Sequence, residues 1–386
     1  MPQTDIVLGI DLGNSYSTAA AWIQGKLYTV PDRRGEPCIP SIVYFPPKGL
    51  PVVGAEAERY RMAEPDATVS GIKRVLGRAA DSPELRVFEA HSAVSVCASA
   101  GSTPILRTRV GEHTPAEVAS YIFRHLKERA EARFHNPIKK AVVTLPATAT
   151  PSTEEATRSA AKMAGLEVLR TLSEPSAAAI AYHLDRADGP DKLLVYDFGG
   201  GTFDATILEH GQDGFRTLGV GGDGCLGGDD FDHVLASQVA SYIFRTYRVD
   251  VTRDVVRWER LIRIGETTKK ALSAREVAPF RMPDAFSHQR KAVDIDLALH
   301  RDDLEPKWQP LIERSVKATA DVLMRAGLRP EHLDATVMVG GTTFVPLVRR
   351  AVDRLMGKPG IVAPNPQTAV ACGAAIVASR IQVRAA

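Results

Sequence analysis

Cysteine is scarce in this chain: Cys38, Cys97, Cys225 and Cys372 are scattered over 386 residues with no C-x-x-C spacing. That excludes a disulfide framework and a thiol-ligated zinc site, and it fits reduced thiols in a cytoplasmic protein. An excess of one charge is lacking too: 48 Lys and Arg face 46 Asp and Glu, a net charge of +2. There is therefore no electrostatic case for nucleic acid or an anionic membrane. The basic pairs Lys139-Lys140 and Lys269-Lys270 read as solvated faces. No run approaches the roughly 20 apolar residues of a membrane span. Residues 1–5 are polar and carry no basic start to a secretory leader. A Walker A sequence is absent, which excludes a P-loop enzyme. With 44% hydrophobic and 24% charged residues, the composition is that of an ordinary globular protein, long enough for two domains.

What is present is an order of elements that occurs twice. Residues 6–13, 17–23 and 26–30, with a Gln24-Gly25 turn, predict a meander of strands. Residues 38–111, richer in Pro and Gly, read as an insertion with a short strand at 41–45. Thr114-Pro-Ala-Glu117 is a capping box with Pro at the first helical position, predicting a helix to about 135. A strand at 140–145, a helix at 152–164 stopped by Gly165, a strand at 166–172 and an Ala-rich helix at 175–184 follow. The polar stretch 185–191 reads as a hinge. The order then repeats: strands at 193–197, 205–209 and 215–220, and a helix from near Asp230. Residues 249–306 read as a second insertion, led by a helix at 255–273. A helix at 304–326 stopped by Gly327, a strand at 335–339 and helices at 344–356 and 369–379 complete the chain. Strands followed by crossover helices, twice over, make an α/β architecture duplicated in topology more than in letters.

Two stretches carry the chemistry. In Gly9-Ile-Asp11-Leu-Gly13-Asn14-Ser15 and in Tyr196-Asp197-Phe-Gly199-Gly200-Gly201-Thr202-Phe-Asp204, a strand runs through an Asp into a Gly-rich hairpin. Glycine lets backbone N–H groups approach an anion closely. A carboxylate can hold a hydrated Mg²⁺, which keeps several waters and prefers carboxylate and phosphate oxygens. Two such hairpins facing each other would grip a polyphosphate and its metal from both sides. Gly219-Val-Gly221-Gly-Asp-Gly224 satisfies G-x-G-x-x-G by letters, but no acidic residue closes a second strand behind it, so a dinucleotide site is not expected. Gly340-Gly341-Thr-Thr, with a helix N-terminus near Pro346, fits the cover of a nucleoside. Taken alone, Glu174 is a first-turn acid and Lys73 a surface lysine.

In this order, these pieces resemble the nucleotide-binding domain of the heat shock protein 70 (DnaK-like) chaperones, within the actin and sugar-kinase superfamily. The resemblance runs through Gly71-Ile-Lys73-Arg74, Glu174-Pro-Ser-Ala-Ala-Ala-Ile-Ala-Tyr182, Leu226-Gly-Gly-Asp-Asp-Phe-Asp232 and Val339-Gly-Gly, besides the two hairpins, and covers essentially the whole chain. Around 226–232 it looks most like the branch specialised for iron–sulfur cluster assembly. The resemblance implies an actin-like ATPase fold, two RNase H-like lobes closing on ATP or ADP with Mg²⁺ and K⁺. Lobe I would be 1–187 plus 365–386, with an inserted subdomain at about 38–112. Lobe II would be 188–364, with its insertion at about 229–306. Asp11 and Asp197 would hold the hydrated metal, with Asp204 in the same network. Lys73, Glu174 and Thr202 would act on the terminal phosphate and the attacking water. Gly13, Asn14, Ser15, Gly199, Gly200, Gly201 and Gly228 would line the phosphates. Glu266, Lys269, Lys270 and Ser273 match the family's adenosine contacts, and their i, i+3, i+4, i+7 spacing puts them on one helix face. Gly340, Gly341, Phe344 and Gln367 would close the adenosine end.

The implied function is an ATP-binding, slowly hydrolysing chaperone domain that acts as a monomer with a J-domain protein and a nucleotide-exchange factor. A nucleotide-gated binding module with little hydrolysis and an actin-like filament protein are the alternatives. The chain departs from the family in several places. Asn14 stands where the family has a phosphate-contacting Thr, Glu154 where it has a signalling Arg, and Gln367 where it has an Asp. Phe344 replaces the Arg that packs on adenine. Losing that cation would cost about 0.5–2 kcal/mol, partly offset by ring stacking. The family's acidic, Leu-rich linker and peptide-binding β-sandwich are expected to be missing, and the changes at Glu154, Phe344 and Gln367 read as a stand-alone ATPase more than an excised domain.

Overall fold

The computed structural model describes residues 5–90, 92–98, 103–182, 189–211, 214–362 and 365–385. Among them are ten α-helices and two large mixed sheets with one topology. In the first sheet, Val7–Asp11, Tyr16–Ile23 and Lys26–Thr29 form an antiparallel meander. Lys140–Leu145 then pairs in parallel with Val7–Asp11, and Glu167–Ser173 in parallel with Lys140–Leu145. In the second sheet, Lys192–Phe198, Phe203–Gly211 and Gly214–Asp223 form the meander, and Ala335–Val339 and Ile361–Val362 add in parallel. The duplication read from the two hairpins is thus real at the level of strand order. Parallel strands need cover on both faces, and Val7, Leu8 and Ile10 are accordingly all buried.

Each sheet has its own core. Leu8, Ile10, Val118, Phe123 and Val143 anchor the first. Tyr196, Phe198, Phe203, Phe231 and Trp308 anchor the second, where the Tyr196 hydroxyl donates to Ser315 Oγ at 2.6 Å. The Thr114 capping box forms as expected: Glu117 N donates to Thr114 Oγ1 at 3.2 Å, and Thr114 N donates to Glu117 Oε2 at 2.7 Å. It opens the helix Pro115–Phe134. The small-residue helix Ala369–Ala385 returns to the first sheet. A Cβ at Gly9 would collide with Ala375 N of this helix, and one at Gly373 with Ala177 O of the helix Glu174–Ala181, so glycine permits the helix to approach both the strand and its neighbouring helix.

The insertions depart from expectation in detail. The second contains a long antiparallel ribbon, Val277–His288 with Lys291–His300, that the sequence reading did not anticipate. Its alternation is present, since Ala278, Phe280 and Met282 are buried. Pro279 and Pro283 obscure it, although a two-stranded ribbon tolerates Pro. The strand read at 215–220 runs on to Asp223, so the letters at 219–224 belong to a strand and not to a phosphate loop. There a Cβ at Gly221 would lie 2.7 Å from Val322 Cγ2, which identifies helix packing as the reason for glycine. The helix read at 344–356 begins at Pro346, after a 3₁₀ turn at Gly341–Phe344. Most of the hinge read at 185–191 lies outside the described residues. No helix among the described residues is long and apolar enough to cross a membrane.

Candidate functional site

The two meanders end facing each other. A Cβ at Gly200 would collide with Ser15 Oγ, and one at Gly201 with Asn14 Nδ2, so the hairpins meet with no room for side chains. Beside this junction lies a cavity of about 820 Å³. Asp11, Gly13, Asn14, Ser15, Lys73, Glu174, Asp197, Gly199, Gly200, Gly201, Thr202 and Gly228 line it. So do Glu266, Lys269, Lys270 and Ser273 from the helix Val255–Ala274, and Gly340, Gly341, Phe344 and Gln367. Asp204 is the one site residue from the sequence that does not line it. It pairs in register with Asp197 across the hairpin and acts through its charge.

At the hairpin end, Lys73 Nζ donates to Glu174 Oε1 at 2.7 Å. Gly71, in the left-handed region at φ 71°, turns the chain into the 3₁₀ segment that carries Lys73. Ser173 caps the helix Glu174–Ala181 by accepting from Ser176 N, which holds Glu174 in the first turn. Burial disfavours the Lys73 charge, but the carboxylates of Glu174 and Asp11 outweigh it and hold the lysine protonated. The acids are pushed the other way. Burial raises Glu174, and it raises Asp11 despite Lys73 and a hydrogen bond from Thr144 Oγ1 at 3.1 Å. Burial, with the charge of Asp204 added, pushes Asp197 up to about 7. One lysine therefore faces an excess of buried carboxylate.

The carbonyls of the glycine hairpin are all engaged. Gly199 O accepts from Gly228 N at 3.0 Å and from Thr342 Oγ1 at 2.7 Å. Gly200 O accepts from Asp229 N at 2.7 Å, and Gly201 O from an Arg74 guanidinium nitrogen at 2.8 Å. What the hairpin has left to offer a ligand is N–H donors, which suit an anion. Gly340, at φ 84°, passes so close to the Phe198 carbonyl that a Cβ would collide with it.

Along the helix Val255–Ala274 the charges are paired, although burial pushes Asp232 up to about 7 and its Oδ1 has no hydrogen-bond partner among the described residues. Lys269, 8% exposed, donates to Asp232 Oδ2 at 2.8 Å and to Gly228 O at 2.7 Å. Burial would raise Glu266, but Lys270 and Arg263 overrule it and hold the carboxyl down to about 2. Glu266 also accepts from the Tyr16 hydroxyl at 2.7 Å, a bond that joins the two halves across 250 positions of sequence. Arg61 pairs with Glu259 at 3.4 Å, and Arg263 pairs with Glu58, so the two insertions are tied as well. Cys38 Sγ donates to Gln367 Oε1 at 3.5 Å, and burial pushes the thiol up to about 12, so it stays protonated.

A family model described as Hsp70 protein matches residues 7–383. The chain belongs to the Hsp70 family. Members of the Hsp70 family are chaperone ATPases that bind ATP and ADP with Mg²⁺ and work with J-domain proteins and exchange factors. The mixed α/β architecture is that of the Hsp70 actin-like ATPase fold. The match is to the family as a whole and carries no assignment to the iron–sulfur assembly branch. Among the described residues no three His, Cys, Asp or Glu side chains come close enough to cage a metal directly. A hydrated Mg²⁺ does not ask for such a cage. The surplus of buried carboxylate around Asp11 and Asp197 fits a cation held through water and phosphate oxygens.

Tyr16, Arg74, Thr144, Asp232 and Thr342 were not singled out as site residues in the sequence. Tyr16 sits directly beside a motif residue, and Arg74 and Thr342 lie within motifs, so position along the chain was their only available signal. Asp232 was visible as the last letter of the 226–232 stretch, but nothing in the letters pairs it with Lys269.

Proposed function

We propose that this chain binds ATP with Mg²⁺ and hydrolyses it slowly, as the ATPase domain of a DnaK-like chaperone. The observation that carries the reading is the Lys73–Glu174 pair at 2.7 Å, set beside Asp11 and Asp197 where two glycine hairpins meet. In this reading lobe I (1–187 with 365–386, insertion 38–112) and lobe II (188–364, insertion 229–306) close on the nucleotide. The protonated Lys73 faces the terminal phosphoryl group. Glu174 orients Lys73 and, with the Thr202 hydroxyl, the attacking water. The free N–H groups of Gly200 and Gly201 meet phosphate oxygens. Asp11 and Asp197 would hold a hydrated Mg²⁺, which would supply charge neutralisation; K⁺ is the second cation of the proposal. Such chemistry is positioning plus electrostatics, with little covalent work for the protein. A cytoplasmic monomer, working with a J-domain protein and an exchange factor, completes the proposal.

Turnover of ATP by the full chain, with and without a J-domain protein, tests it. Lys73→Ala is expected to lower turnover by about 10²-fold, the usual loss for one preorganised electrostatic contact, while nucleotide still binds. Turnover unchanged in that variant would contradict the mechanism.

A further inference from the structure

Phe344 ends the 3₁₀ turn Gly341–Phe344 and lines the cleft. An aromatic ring there offers a stacking face for a planar group but no charge. Five residues on, in the helix Pro346–Met356, Arg349 also lines the cleft. Its guanidinium carbon lies 5.7 Å from the centre of the Phe344 ring. Its Nε donates to Thr343 O at 2.8 Å, which pins the side chain back over the turn that carries Phe344. Among the described residues Arg349 makes no ion pair, unlike Lys269, Lys270 and Arg263. A fixed guanidinium over a ring, both on the wall of one cavity, is the arrangement that binds a planar aromatic ligand by stacking and cation–π attraction.

We infer that Arg349 and Phe344 act as one unit, a base platform in which Arg349 supplies the cation and Phe344 the stacking face for a purine. The inference rests on the nucleotide reading above and deepens it: it assigns base affinity to a residue outside the motifs. The Lys270 ammonium, held by Glu266 and the Tyr16 hydroxyl, lines the same cavity and adds a second cation to it. The competing role for Arg349 is purely structural, a fastening of the turn to the helix.

Binding measurements on the full chain with Mg²⁺ present separate these. The probes are ATP and inorganic tripolyphosphate, which shares the phosphate tail and lacks the base. Arg349→Ala is expected to weaken ATP by about 5- to 30-fold, the range of a desolvated cation–π contact. It should leave tripolyphosphate affinity and the melting temperature unchanged. Arg349→Lys should recover part of the loss, and Phe344→Ala combined with Arg349→Ala should lose less than the two single losses multiplied. Equal weakening of ATP and tripolyphosphate, or a lowered melting temperature with unchanged ATP affinity, overturns the inference. If the unaltered chain binds neither probe, the nucleotide reading itself fails, a result distinct from an Arg349 variant that binds ATP normally.

Discussion

At one end of the cleft, Asp11, Asp197 and Glu174 crowd around Lys73, and burial pushes all three acids up. At the other end, Glu266 and Lys269 already have their counter-charges, Lys270 and Asp232, built into the protein. In the proposed reading the first end is electrostatically unfinished until a cation and an anion arrive. The second is more nearly paired, although burial pushes Asp232 up to about 7 as well and leaves its Oδ1 without a hydrogen-bond partner among the described residues; it also carries an aromatic ring with a guanidinium carbon 5.7 Å from its centre. The cavity thus joins a part short of positive charge to a part whose charges are largely paired.

That contrast can be broken most sharply at Lys269. Lys269→Ala leaves Asp232, 3% exposed, as a buried acid without its partner. Breaking a buried pair in this way costs about 3–5 kcal/mol. Chemical denaturation should show that loss without any nucleotide present. A loss below about 1 kcal/mol would mean that the pair is not the fixed element described, since that is the range of an exposed pair.

A smaller effect is expected at the unfinished end. Asp197 has a folded value raised to about 7 from an ordinary 3.8. The folded state therefore binds the proton more tightly than the unfolded chain, and stability falls as pH rises from about 4 to 7. The contribution of Asp197 itself is flat above that window. Asp232, raised to about 7, and Glu174, raised to about 8, add falls of the same sign, while Glu266, held near 2, adds an opposite slope only below its ordinary value of 4.5. In a chelator, Asp197→Asn should lessen the fall and raise the melting temperature above pH 7 by about 2–4 °C. A melting temperature that rises with pH between 4 and 7, and a variant that melts lower, would sink the electrostatic account.

Legibility in the sequence followed the range of the interaction. Local devices were readable: Thr114 with Glu117 as a capping box, Gly165 and Gly327 as helix stops, the buried run before Asp197. The duplicated strand order was readable too, because each meander ends in the same Asp–Gly pattern. The ribbon at 277–300 was not, because Pro279 and Pro283 interrupt the alternation that Ala278, Phe280 and Met282 carry. Cross-cleft contacts such as Tyr16 to Glu266 and Arg74 to Gly201 have no local signature, since they exist only once two separate halves face each other. Lys269 shows the limit in another way. Its helix-face spacing suggests a ligand contact, yet its ammonium is committed to Asp232, a partner that periodicity cannot name.

The most direct test of the central claim is titration of ATP into the full chain with Mg²⁺ and, separately, with excess chelator. If the carboxylate end is completed by a hydrated cation and a polyphosphate together, affinity should drop by at least about tenfold when Mg²⁺ is removed, a single charge-assisted contact's worth. Asp197→Asn, with Asp11 still in place, should then bind ATP with a reduced dependence on Mg²⁺. Equal affinity in the two conditions for the unaltered chain, or full Mg²⁺ dependence retained in Asp197→Asn, would contradict the account.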